Sequence, residues 1–353
     1  SLCYKKLNMS KKNSNVILKN QFKDHVELSH IYKIFKKRIS FFKKKSFVIA
    51  VSGGPDSLAL TALAKSFSYE NHQCKIYYVL VNHNIRRNSS KEAQLVKKLL
   101  KGYYINLNIL QNKIKIQRNI QSKAREIRYD LLTNFCKKKK VKSILTAHNL
   151  EDQVETFFIR LSRGSGLQGL SSMNQINKLN PNLTLIRPLL DFKKIELIKI
   201  SKLIFGRFYK DPTNKSTKYL RTRIRNLKKS LETSGIKYDQ VFKSIKNLAS
   251  SRDTLDLYFK KIYKDLASKK KKKVFINIKK FNNLNNEMKM KVLKKGIKDV
   301  SKAYYSPRIQ KIINLIEQLA IKKNIKLTLG GCLIFKEKNQ IILEKENKIK
   351  VFS

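Results

Sequence analysis

The hexapeptide SGGPDS at 52–57 lies between an apolar run, SFVIAV at 46–51, and the helically spaced LALTALAKSF at 58–67. Gly53 and Gly54 allow the backbone to approach a ligand and turn its N–H groups inward, and the helix that follows adds the positive end of its dipole. Framed by Ser52 and Pro55, such a turn is suited to phosphate. It carries no Lys that could reach β and γ phosphates, so γ-phosphoryl transfer is not the chemistry its spacing indicates. Asp56 offers a carboxylate to Mg²⁺ and Ser57 a hydroxyl to phosphate. The competing structural reading is a glycine-rich turn with Asp56 as a helix cap.

A second cluster, TAHNLEDQVET at 146–156, sets Asp152 and Glu155 three residues apart on one helical face, with His148 at the preceding turn. Two carboxylates aimed at one spot suit a cation, and Mg²⁺ takes one or two protein carboxylates together with phosphate oxygens. The alternative is that both acids stabilise the positive end of the helix. Fifteen of the 79 basic residues are Arg, and ten of these fall at 86–87, 125–128, 160–163, 187 and 221–225. In a chain that otherwise uses Lys, clustered guanidinium groups indicate planar, bidentate contacts that Lys makes less well. Arg125, Arg128, Arg160, Arg163, Arg221, Arg223 and Arg225 are therefore candidate contacts for phosphate or nucleic-acid backbone.

These residues need elements to hold them. Strands are expected at 46–51, 75–81, 104–110 and 143–147, alternating with helices after 57, near 89–101 and near 150–163. That alternation predicts an α/β fold with a doubly wound, mostly parallel sheet, whose ligands lie beyond the carboxyl ends of the strands. Beyond about 225 glycine thins out, and a long Lys-laced helix is expected over 236–268. The Lys run 269–273 reads as a solvated loop. SPRIQKIINLIEQLA reads as a helix with Ser306 as cap and Pro307 in its first turn. IKLTLGG, CLIFKE and QIILEK predict a small antiparallel sheet, with turns at Gly330-Gly331 and Lys338-Asn339. The expected division is a basic N-terminal extension (1–44), a nucleotide-binding domain (45–228) and a helical and small-sheet C-terminal domain (229–353).

With 353 residues and 41% hydrophobic content the chain is long enough for two or three packed domains, which excludes a disordered polymer or a small peptide scaffold. The formal net charge of +55 favours an acidic partner, above all nucleic acid, with compositional drift, which would also enrich Asn and Ile, as the alternative source of part of the excess. Cys3, Cys74, Cys136 and Cys332 are too far apart for a CxxC pair and are expected to be reduced. No 18-residue apolar run and no secretory core are visible, so the chain reads as cytoplasmic with no membrane role.

SGGPDS resembles the pyrophosphate loop of the N-type ATP pyrophosphatases, or PP-loop enzymes, which adenylate a carbonyl oxygen and let a nucleophile displace AMP. Within that superfamily the ordered set VNHNIR, AREIRY, TAHNLEDQVET, RLSRGSGLQGL, IRPLL and DPTNKSTKYLRTRIR is similar to the tRNA(Ile)-lysidine synthetases. The resemblance runs from about 47 to 226, with weaker similarity near the end. Asn149 and Glu151 stand where the family commonly has His and Asp. The resemblance implies an adenine nucleotide alpha hydrolase-like fold, ATP as substrate with Mg²⁺, and free L-lysine and tRNA(Ile) with a CAU anticodon as partners. It also implies a tRNA-binding C-terminal region, and it leaves a homodimer open. Carried onto this sequence, it implies a catalytic set of Asp56, Arg128, His148, Asp152, Glu155 and Arg221. Metal binding falls to Asp56 and Asp152, and ATP binding to residues 52–57 with His83. Arg128 and Arg221 would meet phosphate charge, Asp152 and Glu155 would serve Mg²⁺ and orient the amine with His148 as a candidate base, and Arg125, Arg160, Arg163, Arg223 and Arg225 would meet tRNA or phosphate. A PP-loop tRNA thiolation enzyme and a noncatalytic RNA-binding protein are the rival readings.

Overall fold

The computed structural model describes residues 22, 25–43, 45–85, 88–114, 120–209, 216–301, 307–321 and 325–346. The chain forms two compact units, Ser1–Ala249 and Ser250–Ser353.

The first unit opens with α1 (Val26–Ile39) and continues with β1 (Ser46–Val51), α2 (Pro55–Glu70), β2 (Lys75–Asn82), α3 (Ser89–Lys101) and β3 (Leu107–Gln111). Then come α4 (Ile120–Lys138), β4 (Ser143–Leu145), α5 (Leu150–Leu161), α6 (Leu167–Leu170), β5 (Ile176–Asn180), β6 (Leu183–Ile186), α7 (Lys194–Phe205), α8 (Leu220–Asn226) and α9 (Lys228–Thr233). Its six-stranded sheet runs β3-β2-β1-β4-β6-β5, parallel except for the edge strand β5. The chain moves outward from β1 through β2 to β3 and then returns to the other side of β1 with β4. The reversal between β1 and β4 is the switch point at which such sheets bind ligands, and the two motifs with the most chemistry follow those two strands.

β1 is buried along nearly its whole length, as a strand covered on both faces must be. α2 buries Leu58, Leu60, Leu63 and Phe67 completely, each worth about 1.5–3 kcal/mol of transfer free energy. The start of the phosphate-loop helix is thereby fixed in the core. The strand expected over 104–110 begins only at Leu107, because Tyr104 sits in the left-handed region at φ 54° and ends the preceding turn there. The β5–β6 hairpin has no counterpart in the expected strands.

Residues 26–42, expected within a basic extension, belong to this core instead. Leu28, Ile31, Tyr32, Phe35 and Ile39 recur at helical spacing and are buried with Phe42 against the sheet cluster. Arg38 donates to both carboxylate oxygens of Asp191 at 2.6 Å and to the Pro188 carbonyl. Residues 1–21 lie outside the described residues.

The border between the units falls within α10 (Tyr238–Leu266), later than 228/229, because Tyr238, Phe242 and Ile245 pack on Leu150 and Val154 of α5. The second unit continues with β7 (Ala267–Lys270), β8 (Lys273–Asn277), α11 (Ile278–Asn282), α12 (Asn286–Ser301), α13 (Ile309–Ile321), β9 (Lys326–Leu329), β10 (Cys332–Glu337) and β11 (Gln340–Lys345). Its antiparallel sheet runs β7-β8-β11-β10-β9. The Lys run is no loop: it closes the β7–β8 hairpin, with Lys271 and Lys272 both at positive φ, the backbone that two-residue hairpin turns require. The side chains of residues 269–272 are exposed all the same, while Lys273 pairs with Glu344. Gly330 (φ 62°) and Gly331 (φ 76°) turn β9 into β10, and Lys338-Asn339 turns β10 into β11. The α13 helix starts at Ile309, two residues beyond Pro307, and Ser306 lies outside the described residues. Among the described residues no helix is long and apolar enough to cross a membrane.

Candidate active site

The site grows from the carboxyl ends of β2, β1, β4 and β6. At the end of β1, Gly53 takes φ 79°, and a Cβ there would stand 2.5 Å from Val96 Cγ2. Only glycine fits both the backbone and the space. The Gly53 carbonyl accepts from the Tyr209 N–H at 2.9 Å, Gly54 caps α2, and Pro55 occupies its first position. Ser57 is turned inward: its hydroxyl donates to the Gly54 carbonyl at 2.9 Å and accepts from the Ser52 N–H at 3.1 Å. The structure thus gives Ser57 to holding the loop in shape, while Ser52 remains exposed at its mouth.

Asp56 projects from the first turn of α2. Its Oδ1 is buried and has no hydrogen-bond partner among the described residues. Burial pushes its carboxyl up to about 6; Asp152 and Glu151 add to the rise, whereas Lys194 and a hydrogen bond from Asn149 oppose it. Asn149 caps α5, its Oδ1 accepting from the Asp152 N–H at 2.9 Å while Asp152 Oδ2 accepts from the Asn149 N–H at 3.2 Å. Asn is a favoured cap, so the departure from the commoner His keeps the helix start and ties Asp56 to Asp152. Glu151 points elsewhere: its Oε2 accepts from the backbone N–H of Lys194 at 2.8 Å, joining α5 to the start of α7. Among the described residues no three His, Cys, Asp or Glu side chains group as a metal site. An orphaned buried carboxylate oxygen on Asp56, in the field of Asp152, does fit a hard divalent cation that takes its remaining ligands from phosphate and water.

Glu155 is 2% exposed. Arg225 holds it in a bidentate pair, Nε to Oε1 at 2.7 Å and Nη2 to Oε2 at 2.9 Å, and this pair lifts Arg225 above the usual guanidinium range. Arg221, one turn earlier on α8, lies 3.3 Å from Oε2 and donates to Thr156 Oγ1 at 3.0 Å. The carboxylate expected to orient a ligand amine is therefore engaged in fixing α8. Arg225, expected at phosphate, is the anchor, and Arg221 is held beside the site.

His148 Nδ1 lies 2.9 Å from Thr146 Oγ1. Burial lowers its pKa to about 4, Asp152 opposes this, and Arg187, Arg125 and Arg221 add to it, so the ring is neutral near pH 7. Arg187, buried at the end of β6, donates to the Asn174 carbonyl at 2.8 Å, and its Nε has no partner among the described residues. Its isolated place in IRPLL gave no spacing by which to assign it. Arg160 donates to the Gly169 and Ser172 carbonyls and organises the loop after α5, whereas Arg163 and Arg223 are exposed. Arg125 stacks over the Tyr129 ring at 5.1 Å. Arg128 reaches His83 at the end of β2. Arg86, Arg87 and 211–215 lie outside the described residues.

A cavity of about 240 Å³ is lined by Glu151, Glu155, Lys194, Arg225, Lys228 and Tyr238 together with Ile195 and Ile198. Tyr238, 4% exposed, has a hydroxyl with no partner among the described residues.

A parallel sheet that delivers a lysine-free glycine turn into a helix start, with a second carboxylate-bearing helix across the switch point, defines a PP-loop ATP-using enzyme. The PP-loop domain family matches residues 23–231. The tRNA(Ile)-lysidine synthase of Wolbachia pipientis wMel is 33% identical over 312 residues, covering 87% of this chain and 72% of that protein. The Rickettsia typhi enzyme of the same name is 33% identical over 310 residues, covering 86% and 70%. The chain belongs to the tRNA(Ile)-lysidine synthase family, ATP-using ligases of tRNA modification. Among solved structures, a U34-tRNA thiolase from Methanococcus maripaludis, determined with its 4Fe–4S cluster, shares the fold at TM-score 0.54 and 18% identity, covering 63% of this chain and 78% of that one. Here Cys74, Cys136 and Cys332 are unpaired and buried, and burial raises the first two thiols to about 11 and about 12, far from the thiolate that sulfur chemistry requires.

Proposed function

We propose that this chain adenylates the wobble cytidine of tRNA(Ile) bearing a CAU anticodon and then joins free L-lysine to C2 of that base. Cytosine O2 attacks the α phosphorus of ATP and pyrophosphate leaves. The lysine ε-amine attacks C2, the C2–O bond breaks, AMP departs with the oxygen, and the amine loses its proton. Adenylation turns an oxygen that would not leave into one that does. The second step needs a neutral amine, although lysine near pKa 10.4 is mostly protonated at neutral pH.

The PP-loop N–H groups and the α2 N-terminus cradle the phosphates. Asp56 and Asp152 would hold Mg²⁺, which when bound neutralises charge on the phosphates. Arg221, kept in place by Glu155, faces developing phosphate charge. Asp152 orients the amine, while neutral His148 is a weak base and serves as a hydrogen-bonding group. The cavity edged by Glu151, Lys194 and Lys228 offers both signs of charge beside an apolar wall, which suits the zwitterionic head of an amino acid. The second unit, with its lysine hairpin, is assigned to tRNA backbone, and the enzyme to the cytoplasm.

The observation that carries this reading is the orphaned, buried Asp56 oxygen beside a phosphate loop without lysine. Incubation of the protein with a tRNA(Ile) transcript, ATP and labelled lysine should yield AMP, pyrophosphate and a lysine-bearing nucleoside. Cleavage of ATP to ADP, or no consumption of ATP, would overturn it.

A further inference from the structure

Arg38 stands apart from the arginine clusters. The other cationic residues of α1 are Lys33, Lys36 and Lys37, so a guanidinium at this one place marks a need for a planar fork. Its Nη1 and Nη2 donate to Oδ1 and Oδ2 of Asp191 at 2.6 Å each, and Nη1 also donates to the Pro188 carbonyl at 2.6 Å. The same group lies 5.4 Å from the centre of the Phe192 ring. Burial raises the Asp191 carboxyl, but the bonds and charge of Arg38 outweigh it and hold the group below its usual range. The connection gripped in this way, residues 187–193, meets the start of α5 in two places. The Phe192 carbonyl accepts from the Leu150 N–H at 2.9 Å, and the Lys194 N–H donates to Glu151 Oε2 at 2.8 Å. Leu150 is the first residue of α5, where an N–H finds no acceptor within the helix. Asp152 follows two residues later, closed into the capping box with Asn149. Leu189 and Phe192 are buried in the same core as Phe35 and Ile39 of α1, which leaves the connection little freedom.

We propose that Arg38 is a positioning residue for the reaction: by fixing Asp191 and Phe192 it sets where α5 begins, and so where Asp152 is held beside Asp56. This rests on the reading of Asp56 and Asp152 as the carboxylates that serve adenylation. The relay runs along covalent and hydrogen-bonded links only, from the Arg38 fork to Asp191, through the Phe192 carbonyl to the Leu150 N–H, and along the first turn of α5 to Asp152. The phosphate loop is fixed separately, by the buried face of α2 and by the Tyr209 N–H on the Gly53 carbonyl. Loss of the latch should therefore reach Asp152 and spare the binding of ATP.

The test compares the full-length wild type with Arg38→Leu, Asp191→Ala, the double variant, and Phe35→Leu, which loosens the same helix but removes no bond to Asp191. In the ligand-free protein, hydrogen exchange at the Leu150 amide, read by NMR, should be about tenfold faster in the first three variants, the scale of one lost hydrogen bond, and unchanged in Phe35→Leu. In tRNA-dependent AMP release, the first three should show kcat lowered about tenfold with KM for ATP within about twofold, since a small misplacement of a positioned group suffices for a loss of that order. Both side chains act through one contact, so the double variant should lose about tenfold rather than about a hundredfold. Arg38→Lys, which keeps the charge without the fork, should recover only part of the rate. Unaltered Leu150 exchange in Arg38→Leu, losses that multiply in the double variant, or an equal fall in kcat in Phe35→Leu would overturn the role. Leu150 exchange that responds as expected in a wild type that releases no AMP would instead overturn the adenylation reading, and the part of Arg38 in it.

Discussion

Asp56→Asn should make the ligand-free protein more stable while abolishing adenylation. The native carboxyl is raised from 3.8 to about 6, chiefly by burial, and an acid with a raised folded-state pKa costs stability once it ionises. Below about pH 4 both folded and unfolded states are protonated and nothing is lost; the cost grows between 4 and 6 and is full above 6. About two units at 1.36 kcal/mol each, with the opposing effect of Lys194 already included, set a ceiling of about 3 kcal/mol, and partial solvent access reduces the expected gain to about 1–2 kcal/mol. The amide is isosteric and still accepts from Asn149. For a unit of this size that corresponds to a rise in Tm of about 2–8 °C at pH 8, shrinking to nothing near pH 4. Differential scanning calorimetry across that range, in the absence of ATP and Mg²⁺, measures it directly, and tRNA-dependent AMP release measures the lost activity. A variant no more stable than wild type at pH 8, or one that still transfers AMP, would refute the argument from burial and the role assigned to this carboxylate together.

Four further outcomes are expected. Gly53→Ala must force a Cβ within 2.5 Å of Val96 at a positive φ, so it should cost about 1–3 kcal/mol and weaken ATP binding measured by calorimetry. Arg225→Leu leaves the buried Glu155 carboxylate with only Arg221 beside it and should cost up to about 3 kcal/mol in chemical denaturation, whereas Arg225→Leu combined with Glu155→Leu should recover part of that loss. Lys228→Ala should raise KM for lysine several-fold while leaving pyrophosphate exchange intact, as read from steady-state kinetics at saturating ATP. Replacing Lys271 and Lys272 with Ala should weaken tRNA binding and lower the slope of log affinity against log salt by up to about two, as measured by filter binding.

The sheet was legible because β-branched runs and glycine turns punctuate it, and because β1 and β4 each end in a motif with recognisable chemistry. The first helix was hidden by its Lys and His residues, although Leu28, Ile31, Tyr32, Phe35 and Ile39 already carried the period of a buried face. The lysine hairpin defied prediction for a different reason: charge says that side chains are solvated, and says nothing about whether the backbone beneath them pairs. In the site, residue types and rough location could be read, but partners could not. Glu155 and Asp152 look alike three residues apart, yet one faces Arg225 from α8 and the other its own helix cap. Likewise, Arg128 and Arg225 lie in similar basic segments, and only tertiary packing turns one to an imidazole and the other to a buried carboxylate.

The claim on which the account depends most is that ATP is opened at its α phosphorus by the tRNA itself. Exchange of labelled pyrophosphate into ATP, with the cognate transcript present and lysine absent, tests this most directly. Exchange should need the transcript and disappear when the wobble cytidine is replaced by uridine. Exchange of equal rate without tRNA, or with the uridine transcript, would contradict it.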